Sequence, residues 1–229
     1  MNRKVILNKW SVNILYWGWI IAIRRPCFLT DQLFLPIHHK KLPESIFGGF
    51  EERDLNSGDG PVEVSESLSG KLLLQKLIAS RFEIQAPEII TKKYEKPRVY
   101  YNGNEISVSF SHTSGAVSGA ISKEYIVGLD MESLNRNVHP RLTSRMKHPR
   151  EEDALYSGDS TLRIWTLKEA ALKAIGTGLR VPMNSVCLKK ESEDEYSVEF
   201  NDGKEAKICS FQESNQWISI CYYKSSTSP

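Results

Sequence analysis

Asp130 and Glu132 stand two residues apart in Ile126-Val127-Gly128-Leu129-Asp130-Met131-Glu132, and the period of two in a strand turns both carboxylates to one face. Carboxylates so close repel one another and need a cation. A solvated strand end is the plain alternative, because an Asp-x-Glu pair is common by itself. Trp165, Glu169 and Lys173 follow at four-residue steps, so in a helix they share one stripe, with Lys168 one position before the acid. That stripe is either an acid and a base beside an aromatic, or simply a surface ion pair of Glu169 with Lys173. Ser111 and His112, in Ser109-Phe110-Ser111-His112-Thr113, are hydrogen-bond donors suited to phosphate, or the structural end of a strand. No Ser-His-Asp or Cys-His arrangement, P-loop or glycine-rich dinucleotide turn competes with these groups.

Periodicity defines the elements that must position them. Leu68, Leu72, Leu73, Leu74, Leu77 and Ile78 predict an amphipathic helix from about Ser67 to Phe82, capped by Ser65 or Ser67. Ile106, Val108 and Phe110 alternate with polar neighbours, and Ala116 to Ile121 and Ile126 to Leu129 are two further apolar runs. Three strands follow, joined as antiparallel hairpins through Ser114-Gly115 and Ser122-Lys123-Glu124. A second helix runs from about Thr161 to Ile175, capped by Asp159 or Ser160 and stopped by Gly176-Thr177-Gly178. Beyond it, Tyr196 to Phe200, Lys207 to Cys209 and Trp217 to Ile220 alternate again, with Asn201-Asp202-Gly203 as a turn, and Lys224 to Pro229 forms a frayed tail. Near the start, Val12 to Ile23 reads as a buried strand; the competing reading, a secretory signal, is weakened by Asn13, by the aromatics and by Arg24-Arg25-Pro26 where small residues belong. Asn56 to Pro61 is an exposed connection.

Composition bounds the classes. With 229 residues, 40% hydrophobic and 25% charged, the chain can bury a sizeable core. Its net charge of +2 is too small to argue for nucleic-acid binding, and no apolar run is long enough to span a bilayer. Cys27, Cys187, Cys209 and Cys221 lie far apart without metal-ligand spacing, as expected of reduced thiols in a cytoplasmic protein.

In chain order the candidate motifs are Lys96-Pro97, Ser111-His112, Gly128-Leu129-Asp130-Met131-Glu132, Glu151, Trp165 with Lys168, Glu169 and Lys173, and Gly176-Thr177-Gly178-Leu179. Together they resemble the pattern of the surfactin-synthetase-activating type of 4′-phosphopantetheinyl transferase, across roughly Tyr94 to Pro182. Where that family carries an arginine-rich helical stretch, this chain has Glu66-Ser67-Leu68-Ser69-Gly70.

The resemblance implies an α+β fold of two similar halves related by a pseudo-twofold axis, residues 1–124 and 125–229, with coenzyme A in the cleft between them. It implies Asp130, Glu132 and Glu169 as Mg²⁺ ligands, an all-oxygen set that this ion prefers. By the same resemblance Lys96, Ser111, His112, Lys168 and Lys173 contact coenzyme A, and Glu151, Glu169 and Lys173 serve catalysis. The implied reaction moves phosphopantetheine from coenzyme A to a serine of an acyl or peptidyl carrier protein and releases 3′,5′-ADP. Either Glu151 or Glu169 takes the serine's proton. A monomer is expected, with no nucleic-acid or membrane partner. Two rivals stay open: another Mg²⁺-dependent phosphotransferase or nuclease, and a non-catalytic module that binds coenzyme A or a carrier. The segment from Arg136 to Arg150, with Arg141, Arg145 and Lys147, His139 and His148, holds no acid before Glu151 and is either a docking edge for an acidic carrier or a solvated loop.

Overall fold

The computed structural model describes residues 34–52, 66–84, 87–90, 92, 95–113, 115–139 and 141–224. The expected strand from Val12 to Ile23, the connection from Asn56 to Pro61, the candidate cap Ser65 and the tail after Lys224 lie outside these residues.

Six strands build a first antiparallel sheet: β1 (Phe34–Ile37), β2 (Phe47–Glu52), β3 (Ile89–Ile90), β4 (Arg98–Tyr101), β5 (Asn104–Thr113) and β6 (Ala116–Ser122), in the spatial order β1-β2-β6-β5-β4-β3. Helix α1 (Glu66–Phe82) covers one face of it, burying Leu73, Leu74, Leu77 and Ile78 against Val99, Ile106, Val108, Val117 and Ile121. Each such aliphatic side chain removed from water contributes about 1.5–3 kcal/mol. Leu68, which the periodicity included in the buried stripe, is 45% exposed. Gly70 lets the helix lie on Phe110, because a Cβ there would stand 2.0 Å from the ring.

The third predicted strand exists, but the structure corrects its partner. β7 (Tyr125–Ser133) leaves the first sheet and pairs with β11 (Gln216–Lys224), opening a second antiparallel sheet completed by β8 (Cys187–Lys190), β9 (Glu195–Glu199) and β10 (Glu205–Glu213) in the order β7-β11-β10-β9-β8. The linking Ser122 is not a hairpin residue; its hydroxyl accepts from the backbone N–H groups of Glu124 and Tyr125 and turns the chain out of the sheet. The other edge of β7 then meets serines of β5 in place of a backbone ladder. Ser107 Oγ accepts from the N–H of Val127 at 2.9 Å, and Ser109 Oγ from the N–H of Leu129 at 2.8 Å. Both strands repeat every two residues, so alternate hydroxyls meet alternate amides that would otherwise be buried without partners.

Helix α4 (Thr161–Ala174) lies against β7 and β11. Ser160 caps it by accepting from the N–H of Arg163, and Gly176, at φ +76°, ends it where a left-handed residue is needed. A Cβ on Gly128 would stand 2.1 Å from the carbonyl oxygen of Ala170 and 2.3 Å from the nitrogen of Ala174, so backbone touches backbone there. The glycine two residues before Asp130 thus sets how closely the acid-bearing strand approaches the helix bearing Glu169 and Lys173. Short helices α2 (Leu142–Met146) and α3 (Asp153–Gly158) precede α4. The described architecture is α+β, two antiparallel sheets each packed by one long helix.

Candidate functional site

The site forms where the end of β5, the second half of β7 and one face of α4 meet. Asp130 is only 2% exposed, and its Oδ1 accepts from Ser111 Oγ at 2.8 Å and Lys173 Nζ at 2.7 Å. Lys173 Nζ also lies 3.8 Å from Glu169 Oε1, so the ammonium bridges the strand acid and the helix acid. Glu132, two residues along β7 from Asp130, pairs with Arg136, whose guanidinium lies over the Trp165 ring with 5.1 Å to its centroid. These groups wall a cavity of about 430 Å³ that gathers Ser111, His112, Asp130, Glu132, Glu169 and Lys173 and is completed by Phe110, Arg136, Trp165 and Leu179.

Burial pushes the Glu169 carboxyl up to about 7; the charge of Asp130 adds to the rise, and Lys173 and Arg136 oppose it. An acidic wall this crowded is under charge strain. Asp130 Oδ2 is buried and has no hydrogen-bond partner among the described residues. An orphaned carboxylate oxygen beside two further carboxylates suits a hard, oxygen-seeking divalent cation. As the side chains stand, no three acids, histidines or cysteines among the described residues converge closely enough to hold one, and lysine and arginine occupy Asp130 Oδ1 and Glu132 Oε1. The donor set fits such an ion once these cations give way.

Two of the expected site residues, Glu151 and Lys168, are not brought to the cavity. Their side chains are both 0% exposed and pair with each other at 2.7 Å. Lys168 Nζ also donates to the carbonyls of Met183 and Val186, while Glu151 accepts from Tyr156 Oη and from the N–H groups of His148 and Leu188. Lys168 precedes Glu169 by one residue, about 100° around the helix, and that rotation carries it from the cavity into the core. In this arrangement both charged groups are enclosed and turned to each other and to backbone groups.

Lys96 backs a neighbouring cavity of about 510 Å³ that shares Phe110, Lys173 and Leu179 with the first and is otherwise lined by residues including Pro97 and Gly176–Arg180. Its ammonium is turned to the carbonyl oxygens of Val127 at 2.6 Å and Ala174 at 3.3 Å, and to Ser107 Oγ at 3.4 Å. Burial lowers its pKa to about 8. The basic segment is also partly committed: Lys147 pairs with Asp153 and Arg150 with Glu199, whereas Arg141 and Arg145 are exposed and no ion pair engages them among the described residues.

The family model of the 4′-phosphopantetheinyl transferase superfamily matches residues 126–221. The 4′-phosphopantetheinyl transferase gsp of Aneurinibacillus migulanus is 30% identical over 175 residues, which cover 67% of this chain and 72% of that relative. This chain belongs to the 4′-phosphopantetheinyl transferase superfamily.

Membership makes it a transferase of phosphopantetheine and agrees with the α+β architecture. The span matched to the superfamily contains Asp130, Glu132, Glu169 and Lys173 but begins after Lys96, Ser111 and His112. Sequence reasoning missed Arg136 as a wall of the cavity, having counted it only as basic surface. It also missed the serines that seat β7, although Ser107, Ser109 and Ser111 repeat at the strand period and so gave a readable signal. No helix among the described residues is long and apolar enough to cross a membrane.

Proposed function

We propose that this phosphopantetheinyl transferase moves the 4′-phosphopantetheine group of coenzyme A to a serine hydroxyl of an apo carrier protein and releases 3′,5′-ADP. The observation carrying this reading is the cavity in which Asp130, Glu132 and Glu169 face Lys173, in a chain of this superfamily. Mg²⁺ held by these three carboxylates would neutralise phosphate charge. Lys173 places an ammonium in the same wall, where it stabilises charge gathering on phosphate oxygens as the bond to 3′,5′-ADP breaks. Ser111 and His112 orient phosphate at the β5 end of the cavity. The serine oxygen forms the new bond to phosphorus, and its proton needs a carboxylate; Glu169 lines the cavity whereas Glu151 is sealed, which favours Glu169.

The test is intact-mass analysis of apo acyl and peptidyl carriers incubated with the protein, coenzyme A and Mg²⁺. Carriers should gain one phosphopantetheine, with 3′,5′-ADP in the supernatant. Asp130→Ala and Glu169→Ala should abolish transfer without large loss of melting temperature. Near wild-type turnover by either variant in excess chelator would sink the metal assignment, and binding of coenzyme A without turnover by the wild type would favour a non-catalytic module.

A further inference from the structure

Arg136 reaches the cavity from just beyond the end of β7, and two contacts hold it. Its guanidinium is ion-paired with Glu132 four residues earlier and rests over Trp165 of α4. The pair is asymmetric: the Glu132 side chain is 13% exposed, whereas that of Arg136 is 43% exposed. The acid is fixed in the wall of the site, and the arginine has room to leave. Asp130 Oδ2, buried in the same wall, has no partner among the described residues, so the carboxylates are only partly neutralised by the chain's own cations. An ion coordinated through Glu132 Oε1 would need the oxygen that Arg136 Nη1 now occupies.

We propose that Arg136 is an exchangeable counter-cation for Glu132, which holds that carboxylate in place in the metal-free protein and is displaced when a divalent cation loads. The proposal rests on the reading that this cavity takes such an ion. Two cations cannot share the same carboxylate lone pairs at contact distance, so binding of one weakens the other reciprocally. Trp165 gives the guanidinium a face to remain on after release, which keeps the displaced charge beside the cavity where phosphate enters. Arg136 is therefore a positioning residue in the metal-free protein and the nearest unclaimed cation in the loaded one. Lys173 differs. It is 24% exposed and also bonded to Ser111, and so it is held in the wall by more than one partner.

The experiment is direct titration of the full chain with Mn²⁺, the free ion being read by electron paramagnetic resonance, in the absence of substrate. Arg136→Gln should bind Mn²⁺ about three- to tenfold more tightly than wild type, the scale expected for deleting a competing, partly exposed ion pair. Its melting temperature should fall without metal and recover when Mn²⁺ is added. Arg145→Gln, on the same basic segment but exposed and without an ion pair among the described residues, should match wild type in both readouts. An unchanged or weaker Mn²⁺ affinity in Arg136→Gln overturns the exchange. Equal tightening in Arg145→Gln overturns it too, by showing that general charge alone is at work. Failure of wild type and variant alike to bind Mn²⁺ overturns the metal reading along with it.

Discussion

Two lysine–carboxylate pairs on one helix, each 2.7 Å long, differ in nearly everything else. Lys168 with Glu151 is fully enclosed, and its oxygens and ammonium find further partners in Tyr156 Oη, the N–H groups of His148 and Leu188 and the carbonyls of Met183 and Val186. Lys173 with Asp130 opens on a cavity, leaves Asp130 Oδ2 unsatisfied and shares its ammonium with Glu169. A completed network is a fastener: it ties α4 to the segment from Met183 to Leu188 and cannot bind anything else. An incomplete one is a receptor, because its unmet lone pairs are free energy available to a ligand. Chemistry of the residues is the same in both; solvent access and satisfaction divide structure from function.

The comparison breaks most visibly at Lys168. Replacing it with Ala leaves Glu151 charged and buried without its partner, and such losses typically cost about 3–5 kcal/mol. Urea unfolding should show that loss, and the folded fraction should keep its turnover per molecule. Pairing Lys168→Met with Glu151→Gln should recover much of the stability; a double variant as unstable as the single one, or a catalytic defect in fully folded protein, would put Lys168 in the site after all. Lys173→Ala should behave the opposite way. Loss of a donor aimed at developing charge typically lowers rate 10²–10³-fold, about 2.7–4 kcal/mol in the barrier, while the stability loss should be smaller than at Lys168, because Lys173 is partly exposed and Asp130 keeps its hydrogen bond from Ser111. Initial rates together with melting temperatures separate the two outcomes, and a stability loss with unchanged rate would make Lys173 a second fastener.

Residue type and spacing made the strand pair Asp130 and Glu132, the stripe Trp165, Glu169 and Lys173, and both long helices legible, because periodicity reports which side chains share a face. They did not report which face is inside. Lys168 and Lys173 look equivalent as letters, and only the packing of α4 against β7 and β11 decides that one is core and the other is wall. The departure of β7 from the first sheet was equally hidden. A short apolar run after a tight turn predicts a hairpin locally, whereas its true partner, β11, lies about ninety residues away in the chain. Arg136 escaped notice because a charge run reads as surface until a neighbouring acid and an indole are seen to hold one member of it.

Lys96 offers an intermediate case, a buried cation satisfied by carbonyls at the back of a cavity. Burial lowers its pKa from 10.5 to about 8, while burial raises that of the nearby Cys221 thiol and keeps it neutral over the same range. Between those two lysine values the unfolded chain binds more protons than the folded one, so this group's contribution to stability rises with pH, by at most about 1.4 kcal/mol per pH unit. Wild type should therefore gain on Lys96→Met as pH increases from 8 to 10 in urea titrations. A flat difference would mean that the carbonyls of Val127 and Ala174 hold the lysine charged throughout.

The smallest effect expected concerns the basic segment, where paired and unpaired charges again part company. Lys147, Arg150 and Arg136 already have acidic partners within the chain, which leaves Arg141 and Arg145 as exposed cations of this segment with no such partner among the described residues. If the segment receives a carrier with an acidic surface, these two supply the attraction, since charges satisfied internally project a weaker field. Electrostatic steering acts mainly on association rate and fades as added salt shortens the screening length. Reversing both Arg141 and Arg145 to Glu should raise the apparent Michaelis constant for the carrier severalfold at low salt and flatten its dependence on ionic strength. Affinity for coenzyme A should stay nearly constant, because neither side chain lines either cavity. The same reversal at Lys147 should change carrier kinetics less and cost some stability through repulsion of Asp153. Equal carrier kinetics for the double reversal and wild type at low salt would move the docking edge away from this segment, and exposed Leu179 at the mouth shared by the two cavities would be the next surface to alter.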